Sequence, residues 1–156
     1  MAFKTIMLEG GDKPRIAEYP AAAAITPGHV LYFNSSGQVA VHATAGGRVQ
    51  PMMIALENSL AGKTISDAYA ASDRVQVWFP QNGDIALMRI VNGANIAVAD
   101  LVESQGDGTL REVVTDTSIG TVKPDSFVGQ ALAACDMSGS SGLDVAGGLC
   151  PIRIGG

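Results

Sequence analysis

The sequence predicts an all-β fold, a compact antiparallel β-sandwich or barrel of short strands with an extended N-terminal arm. Almost no segment keeps a helical period, short alternating segments recur with turns about every 8 to 12 residues, and 19 glycines supply those turns. A chain of 156 residues has room for about one core. We therefore expect an arm and connector at residues 1–24 and one β domain at residues 25–156.

Two hairpins are the clearest local features. Residues 29–33 and 39–41 flank an Asn-Ser-Ser-Gly turn, and residues 74–79 and 85–90 flank a turn that contains Asn82-Gly83. Asn-Gly is the strongest short hairpin signal, since both central positions of the favoured turn need positive φ. Further strands are predicted at 52–56, 100–104, 110–114, 129–135 and 149–154, and one short turn of helix at 66–71 with Ser66 as its N-cap.

The first 24 residues differ from the rest of the chain. Apolar and polar residues alternate at 3–8, a Gly-Gly-Asp turn follows, and a second short alternation covers 16–19. Prolines at 20 and 27 bracket an alanine tract too short for a helix, which favours a connector. An arm and an edge hairpin are both compatible with this pattern.

A faint internal repeat links the two halves of the chain. Residues 25–31, with Gly37 closing their turn, overlay on residues 96–102, with Gly108 closing theirs. An Ala-Leu pair follows in each half, at 55–56 and at 131–132. Two such units would bury each other's apolar faces, although a similarity this degenerate also arises by chance.

Composition excludes several classes of protein. Disorder requires low hydrophobicity and high charge, whereas this chain is 47% hydrophobic and 16% charged. No apolar run approaches the length of about 20 residues that spans a bilayer, and Glu9 interrupts any secretion signal. A net charge of −5 with scattered basic residues argues against nucleic-acid binding. The low charge fraction favours a surface hidden against another protein.

Residues with chemical potential are few. Cys135 and Cys150 lack CxxC spacing and a neighbouring histidine, so buried reduced thiols are favoured over a disulfide or a zinc site. His29 and His42 are interpreted as strand-end surface residues, and a set built on Ser35 and His42 lacks a nucleophile elbow. Residues 106–108 (Gly-Asp-Gly) are interpreted as a tight turn instead of a phosphate or calcium site. We predict no enzyme activity, no metal and no cofactor.

Trp78 and Phe79 are adjacent aromatic residues on one predicted strand. Neighbours on a strand point to opposite faces, so one ring lies in the core and the other is exposed or covered by another subunit, unless both faces are buried. Because aromatic residues dominate interface hot spots, both are candidates for a subunit interface.

Several motifs resemble those of small structural proteins of tailed phages. They are AGKTISDAYAASDRV at 61–75, PQNGD at 80–84, DLVESQGDGTL at 100–110 and VGQAL at 128–132, so the resemblance covers about residues 25–135. The family pattern is approximately GKTI-D-AYAAGD-V, then P-x-x-GD and GD-L-S-GDGTL. Ser72 and Ala99 depart from it where the family has glycine, which weakens a turn with positive φ at both places.

The resemblance implies a capsid decoration, or cement, protein: a virion structural protein that binds the outside of the phage head and stabilises the shell of major capsid protein. Such proteins often assemble as trimers, after synthesis in the bacterial host cytoplasm. An N-terminal arm that pairs with the shell is typical of them, and strand addition by an alternating arm suits that role. The predicted shell-contact residues are Phe3, Lys4, Ile6, Met7 and Leu8.

Two alternatives remain open from the sequence. One is another virion component, such as a tail-tube or head-completion protein, which composition does not distinguish from a decoration protein. The other is a trimeric β-barrel nucleotide hydrolase, which needs carboxylates and a glycine-rich phosphate loop in recognisable motifs.

Overall fold

The computed structural model describes residues 5–114, 126–139 and 148–155, which form short β-strands and one turn of 3-10 helix at Ser59–Ala61. The strands are β1 (Met7–Glu9), β2 (Arg15–Pro20), β3 (Leu31–Phe33), β4 (Val39–Val41), β5 (Ile54–Ala55), β6 (Arg74–Phe79), β7 (Ile85–Ile90), β8 (Asn95–Ile96), β9 (Leu101–Ser104), β10 (Leu110–Glu112), β11 (Phe127–Ala131), β12 (Cys135–Asp136) and β13 (Gly148–Ile154). The all-β prediction is confirmed. No helix in the described ranges has the length and apolar character to cross a membrane.

The second half of the chain closes into a five-stranded barrel. Its strands pair in the order β7, β10, β9, β11, β13, and β13 pairs back with β7. The pairings are antiparallel except for a single parallel contact in which Leu110 lies beside Ile90. Strand β1 adds to the edge of β7 beside Ile85 and Ala86, so this edge is shared between β1 and β10.

The first half of the chain also forms a ring of five strands. Strands β2, β6 and β5 make one sheet and β3 pairs with β4. Isolated bridges connect the two pieces, since Val30 pairs with Ile54 and Ala21 lies parallel to Val39. The strand order around this ring is therefore β2, β4, β3, β5, β6. We call this ring of the first half the first barrel, and we call the ring of the second half the second barrel.

The two barrels repeat the same strand pairings, with equivalent residues 69 to 76 positions apart along the chain. The matched pairs, first barrel and then second, are Leu31 with Val41 and Val102 with Glu112; Val30 with Ile54 and Leu101 with Gln130; Ala55 with Val77 and Ala131 with Ile152; and the parallel pairs Ala21 with Val39 and Ile90 with Leu110. The glycines that close the equivalent β3–β4 and β9–β10 turns, Gly37 and Gly108, both have positive φ, at 73° and 87°. The internal repeat predicted from the sequence is confirmed.

The described residues contain two buried apolar clusters. One cluster lies inside the first barrel and contains Leu31, Val39, Val75 and Val77. The other fills the second barrel and extends between the barrels, because it also contains Val30, Ile54 and Trp78 from the outer side of the first barrel. The inter-barrel contact is thus continuous with a barrel core.

The predicted hairpin around Asn82-Gly83 is wrong. Strand β6 pairs with β2 and β5, whereas β7 pairs with β1, β10 and β13, so the turn leads from one barrel into the other. Gly83 does adopt positive φ, at 99°, and its N–H donates to the carbonyl of Ile154 at 2.8 Å. A local turn signal fixes the turn but not the strand edge that each neighbour joins.

The predicted turn of helix at 66–71 is also wrong. The Asp67 carboxylate accepts hydrogen bonds from the Thr64 N–H at 2.7 Å and from the Thr64 hydroxyl at 2.9 Å, which closes a turn instead. These bonds, the backbone one foremost, hold the pKa of Asp67 below its ordinary value. Two residues later the backbone of Tyr69 pairs with Ile25, which ends any helical path.

The described part of the N-terminal segment belongs to the barrels. Strand β1 pairs with β7 and β2 pairs with β6 over its whole length. Ile6 is fully buried and its N–H donates to a Glu57 carboxylate oxygen at 3.0 Å. The expectation of an extended arm is therefore not supported for residues 5–20, because Ile6, Met7, Leu8 and Tyr19 lie in or against the cores of this chain.

Cys135 and Cys150 form a disulfide, with Cα atoms 5.9 Å apart, so the expectation of reduced thiols is wrong. Cys135 lies on β12 and Cys150 on β13, and both side chains belong to the core cluster of the second barrel. Neither cysteine has a sequence neighbour that predicts this contact, because the barrel closure brings the two strands together.

Candidate functional site

The two histidines are buried, not exposed at strand ends as predicted. His29 and His42 are 8% and 7% exposed. The Thr26 N–H donates to Nδ1 of His29 at 3.3 Å. In the second barrel the equivalent bond joins the Ala97 N–H to Asp100. His29 therefore takes the place of a turn-closing aspartate.

His42 contacts Ser104, not Ser35. Its Nδ1 lies 2.7 Å from the Ser104 hydroxyl and its Nε2 lies 3.1 Å from the Arg48 carbonyl oxygen. A carbonyl only accepts, so Nε2 donates to it, and in the neutral imidazole Nδ1 accepts from the hydroxyl. That hydroxyl also accepts the Gly106 N–H, and Ser104 has no exposed surface. This pair joins the two barrels, and its serine is placed to hold a turn and not to meet a substrate.

The acidic residues that suggested chemistry close turns. Asp73, Asp84 and Asp100 each accept the N–H of the residue three positions earlier, at 2.7 to 2.9 Å. The residue before each one, Ser72, Gly83 or Ala99, has positive φ. Ser72 and Ala99 thus adopt the positive φ that glycine favours, although neither is glycine. Within the described ranges, no group of three or more His, Cys, Asp and Glu residues is placed to hold a metal ion.

The turn at 106–108 has the structure predicted for it. Asp107 accepts the Thr109 N–H at 3.0 Å, and Gly106 and Gly108 have positive φ. The turn joins β9 to β10. Because Asp107 points into its own turn, its carboxylate is engaged within the loop.

An open cleft of about 390 Å³ lies against the first barrel. Tyr32, Phe33, His42, Arg48 and Gln50 are among its lining residues, and none of the described residues that line it carries a carboxylate. Both nitrogens of His42 are engaged as described above. The cleft therefore offers two half-exposed aromatic rings and a guanidinium, a set suited to contact and not to proton transfer.

Large exposed apolar side chains mark the other candidate surfaces. On the second barrel these are Val98, Leu101 and Val114, which are 61%, 39% and 59% exposed. On the first barrel Ile16 is 46% exposed, and Leu60 on the 3-10 turn is 92% exposed. Groups of exposed apolar residues on a folded protein mark contact sites.

The second-barrel group has buried counterparts in the first barrel. Residues 27–30 are all buried, whereas the equivalent residues 98–101 are exposed or half-exposed. Val30 has no exposed surface, yet Leu101, its counterpart, keeps an apolar side chain in solvent. Sequence reasoning missed this surface, although its overlay of 25–31 on 96–102 contained the signal.

The predicted interface aromatics lie within the chain's own cores. Trp78 has no exposed surface and belongs to the cluster between the barrels. Phe79 is half-buried against the first-barrel cluster and packs edge-to-face on Tyr19, with ring centroids 6.4 Å apart. Both faces of β6 are therefore covered within one chain, the exception that the sequence argument allowed for.

The predicted shell-contact residues divide into three groups. Phe3 and Lys4 lie outside the described residues. Ile6 is buried in the core, and Met7 and Leu8 are half-buried and pack against it on β1. The structure brings the last three together as part of one strand edge, where their apolar side chains complete the inter-barrel core.

The fold has a relative among solved structures. The chain is similar to the crystal structure of the head fiber gp8.5 N base of bacteriophage phi29, with a TM-score of 0.58 and 14% sequence identity. The match covers 92% of this chain and 95% of that one. No family model matches the chain, and no curated protein matches it. The likeness establishes a shared fold that covers both barrels.

Proposed function

We propose that this chain is a structural protein of a bacteriophage head, which decorates the outside of the capsid and catalyses no reaction. The observation that carries the proposal is the likeness over nearly the whole chain to the base of a phage head fiber. The motifs at 61–75, 80–84 and 100–110 support it independently, because they resemble those of tailed-phage structural proteins. The aspartates in those motifs close turns, which suits a scaffold.

The proposed partner is the major capsid protein, and the proposed assembly is a homo-oligomer, with a trimer expected. Each copy would make modest contacts with the shell, and repetition around symmetry axes would supply avidity. Synthesis in the host cytoplasm and final location on the capsid exterior complete the proposal.

Immunogold labelling of intact particles of the phage that encodes the chain tests the location. Decoration predicts gold over the whole head in many copies. Gold confined to one vertex would identify a head-completion protein, and gold along the tail would identify a tail-tube protein. Either of those patterns overturns the decoration proposal.

Shell contact by the extreme N-terminus is tested with point variants, not with a deletion. Removing residues 2–12 would also remove β1 and the buried Ile6, so weakened binding would report misfolding. The variant Phe3→Ala with Lys4→Ala leaves both in place. We expect weaker co-sedimentation with expanded heads than for Leu60→Ala, a control at an exposed site. Undiminished binding would remove these residues from the contact.

The hydrolase alternative is tested by turnover of deoxynucleoside triphosphates. Asp84 accepts the Gln81 N–H at 2.9 Å and Asp107 accepts the Thr109 N–H at 3.0 Å, so both carboxylates are engaged in turns. We expect no turnover by the folded protein. Turnover that disappears in Asp84→Asn or Asp107→Asn would overturn the proposal.

A further inference from the structure

We propose that the exposed apolar face of the second barrel around Val98 and Leu101 binds the first barrel of another copy of this chain, in the geometry that already joins the two barrels within one copy. The inference deepens the self-assembly in the proposed function. It rests on the repeat geometry and not on a virion role, so a failure of the capsid assignment would leave it standing.

The contact within one copy has two parts, and the first is made on strand β7. The Arg89 N–H donates to the Gly28 carbonyl at 3.1 Å, and its Nε donates to the Pro27 carbonyl at 3.0 Å. A Cβ placed on Gly28 would lie 3.2 Å from the Leu87 carbonyl oxygen. The 27–30 loop of the first barrel therefore lies directly against β7 of the second.

The second part is made by the β9–β10 turn of the second barrel. The Val30 N–H donates to the Gly108 carbonyl at 2.9 Å, and the Gly108 N–H donates to the His42 carbonyl at 3.2 Å. Gly108 is buried by this insertion. The turn that contains Gly108 thus forms backbone hydrogen bonds with two residues of the first barrel, Val30 and His42.

The receiving half of this contact exists again, uncovered, on the second barrel. The counterparts of Val30 and His42 are Leu101 and Val113, and the Val113 N–H donates to the Leu101 carbonyl as the His42 N–H does to Val30. Val98 and Leu101 are apolar and exposed there, whereas the equivalent first-barrel residues are buried. The apolar character is retained although nothing in the described part of the chain covers it.

The inserting half exists again, also uncovered, on the first barrel. The counterpart of Gly108 is Gly37, which lies on an exposed turn with open space around it. The counterparts of Leu87 and Arg89 on β7 are Glu18 and Pro20 on β2, where Ile16 is 46% exposed. One copy therefore carries two separated surfaces that match the two sides of this contact in position. They do not repeat every bond, since Pro20 has no N–H and the Gly37 N–H donates to the Asn34 carbonyl at 3.1 Å.

Charge favours a second copy as the occupant. Within one copy, Trp78 and Leu87 share the inter-barrel cluster. Their counterparts are the exposed Arg153 on the receiving face and Glu18 on the inserting face, which carry opposite charges. Opposite charges on the two faces favour a contact between separately folded copies. The contact is heterologous, so it closes into a ring or continues as a filament.

Site-specific cross-linking tests the geometry. Both native cysteines are in the disulfide, so an introduced cysteine is the one unpaired thiol. Leu101→Cys and Ser36→Cys proteins are mixed and oxidised, because Ser36 is the exposed neighbour of Gly37. We expect a covalent dimer from this mixture. Leu60→Cys, at another exposed site, replaces Ser36→Cys in the control and should give none.

Sedimentation velocity of Leu101→Asp supplies a second readout. An aspartate at the centre of an apolar contact should weaken self-association by about tenfold or more. Circular dichroism must show an unchanged fold. Leu101→Cys cross-linking to itself would indicate a twofold contact and overturn the proposal. A parent protein that stays monomeric at every concentration would also overturn it.

Discussion

The two barrels share their strand pairings and differ in what their outward residues meet. Inward positions are small or apolar in both, as with Val77 and Ile152. Outward positions diverge, because Ile54 and Trp78 face the partner barrel and are buried, whereas their counterparts Gln130 and Arg153 are exposed. The strand pairing is therefore common to the two barrels, whereas the outward residues differ according to whether the other barrel covers them.

The largest expected effect comes from removing the indole ring of Trp78, which lies in the core between the barrels. Trp78→Ala should destabilise the protein by about 3–5 kcal/mol, because it leaves a cavity in the inter-barrel core. Its counterpart change, Arg153→Ala, removes an exposed side chain and should stay within about 0.5 kcal/mol. Urea unfolding of both variants measures the difference. Similar losses for the two would contradict the asymmetry between the outer faces.

The disulfide is the next largest difference between the barrels. Strand β13 carries Cys150 where β6 carries Val75, and Cys135 pairs with Ile96 as Tyr69 pairs with Ile25. The cross-link closes a loop with a sequence separation of 15 residues, so its loss should cost about 3 kcal/mol. Cys135→Ala with Cys150→Val tests this by urea unfolding, since valine fits the equivalent place.

Reduction of the parent protein provides the control for that variant. Both forms lack the cross-link, so their unfolding free energies should agree closely. A protein made in a reducing cytoplasm would fold without the disulfide, and the first barrel shows that the topology forms without one. If reduction left the free energy of unfolding unchanged, the disulfide would not contribute to the stability of the second barrel.

The positions of individual strands were predictable from the sequence, and the closure of the strands into two barrels was not. Strands β6 and β7 were predicted with their observed bounds, because alternation and turn residues are local. The partner strands were not, since Asn82-Gly83 fits a hairpin and a crossover between barrels equally well. Ile6 was assigned to an arm because its contact with Glu57 lies 51 residues away in sequence. The disulfide depends in the same way on β12 meeting β13.

The candidate surface was partly predictable. The overlay of residues 25–31 on 96–102 placed Val30 opposite Leu101. It did not reveal that one is buried and the other exposed, because that follows from the order of the barrels along the chain. The two histidines were misjudged for a related reason, since both are buried where the barrels meet.

A smaller effect is expected from the buried hydroxyl of the first barrel. The Tyr69 hydroxyl donates to the Leu56 carbonyl at 2.8 Å and accepts the Gln76 N–H at 3.3 Å. Tyr69→Phe should therefore cost about 1–2 kcal/mol, and Tyr32→Phe, at an exposed site, should cost little. Thermal unfolding at neutral pH compares them. Equal melting temperatures for the two would contradict a structural role for the Tyr69 hydroxyl.

Alkaline pH sharpens the same comparison. Burial raises the pKa of Tyr69 above its ordinary value of 10.0. The unfolded chain then ionises first, so the stability that the neutral hydroxyl contributes is complete below pH 10.0 and is lost as pH rises through the folded pKa. The difference in the free energy of unfolding between the parent and Tyr69→Phe should therefore narrow as pH rises from 10.0 through the folded pKa. A constant difference would mean that folding does not raise the pKa of Tyr69.

The smallest expected effect is a gain in stability at a turn. Gly28 and Ala99 occupy equivalent turns, with φ of 92° and 75°. An alanine at positive φ is strained by its Cβ, so Ala99→Gly should stabilise the protein by about 0.5–1 kcal/mol after the entropy of the added glycine is subtracted. Ala97→Gly, in the same turn at ordinary φ, should instead destabilise it by about 0.4–1 kcal/mol. Urea unfolding of the two variants checks the signs. A loss in both would show that residue 99 leaves the left-handed region in solution, and the two turns would then differ in backbone as well as in sequence.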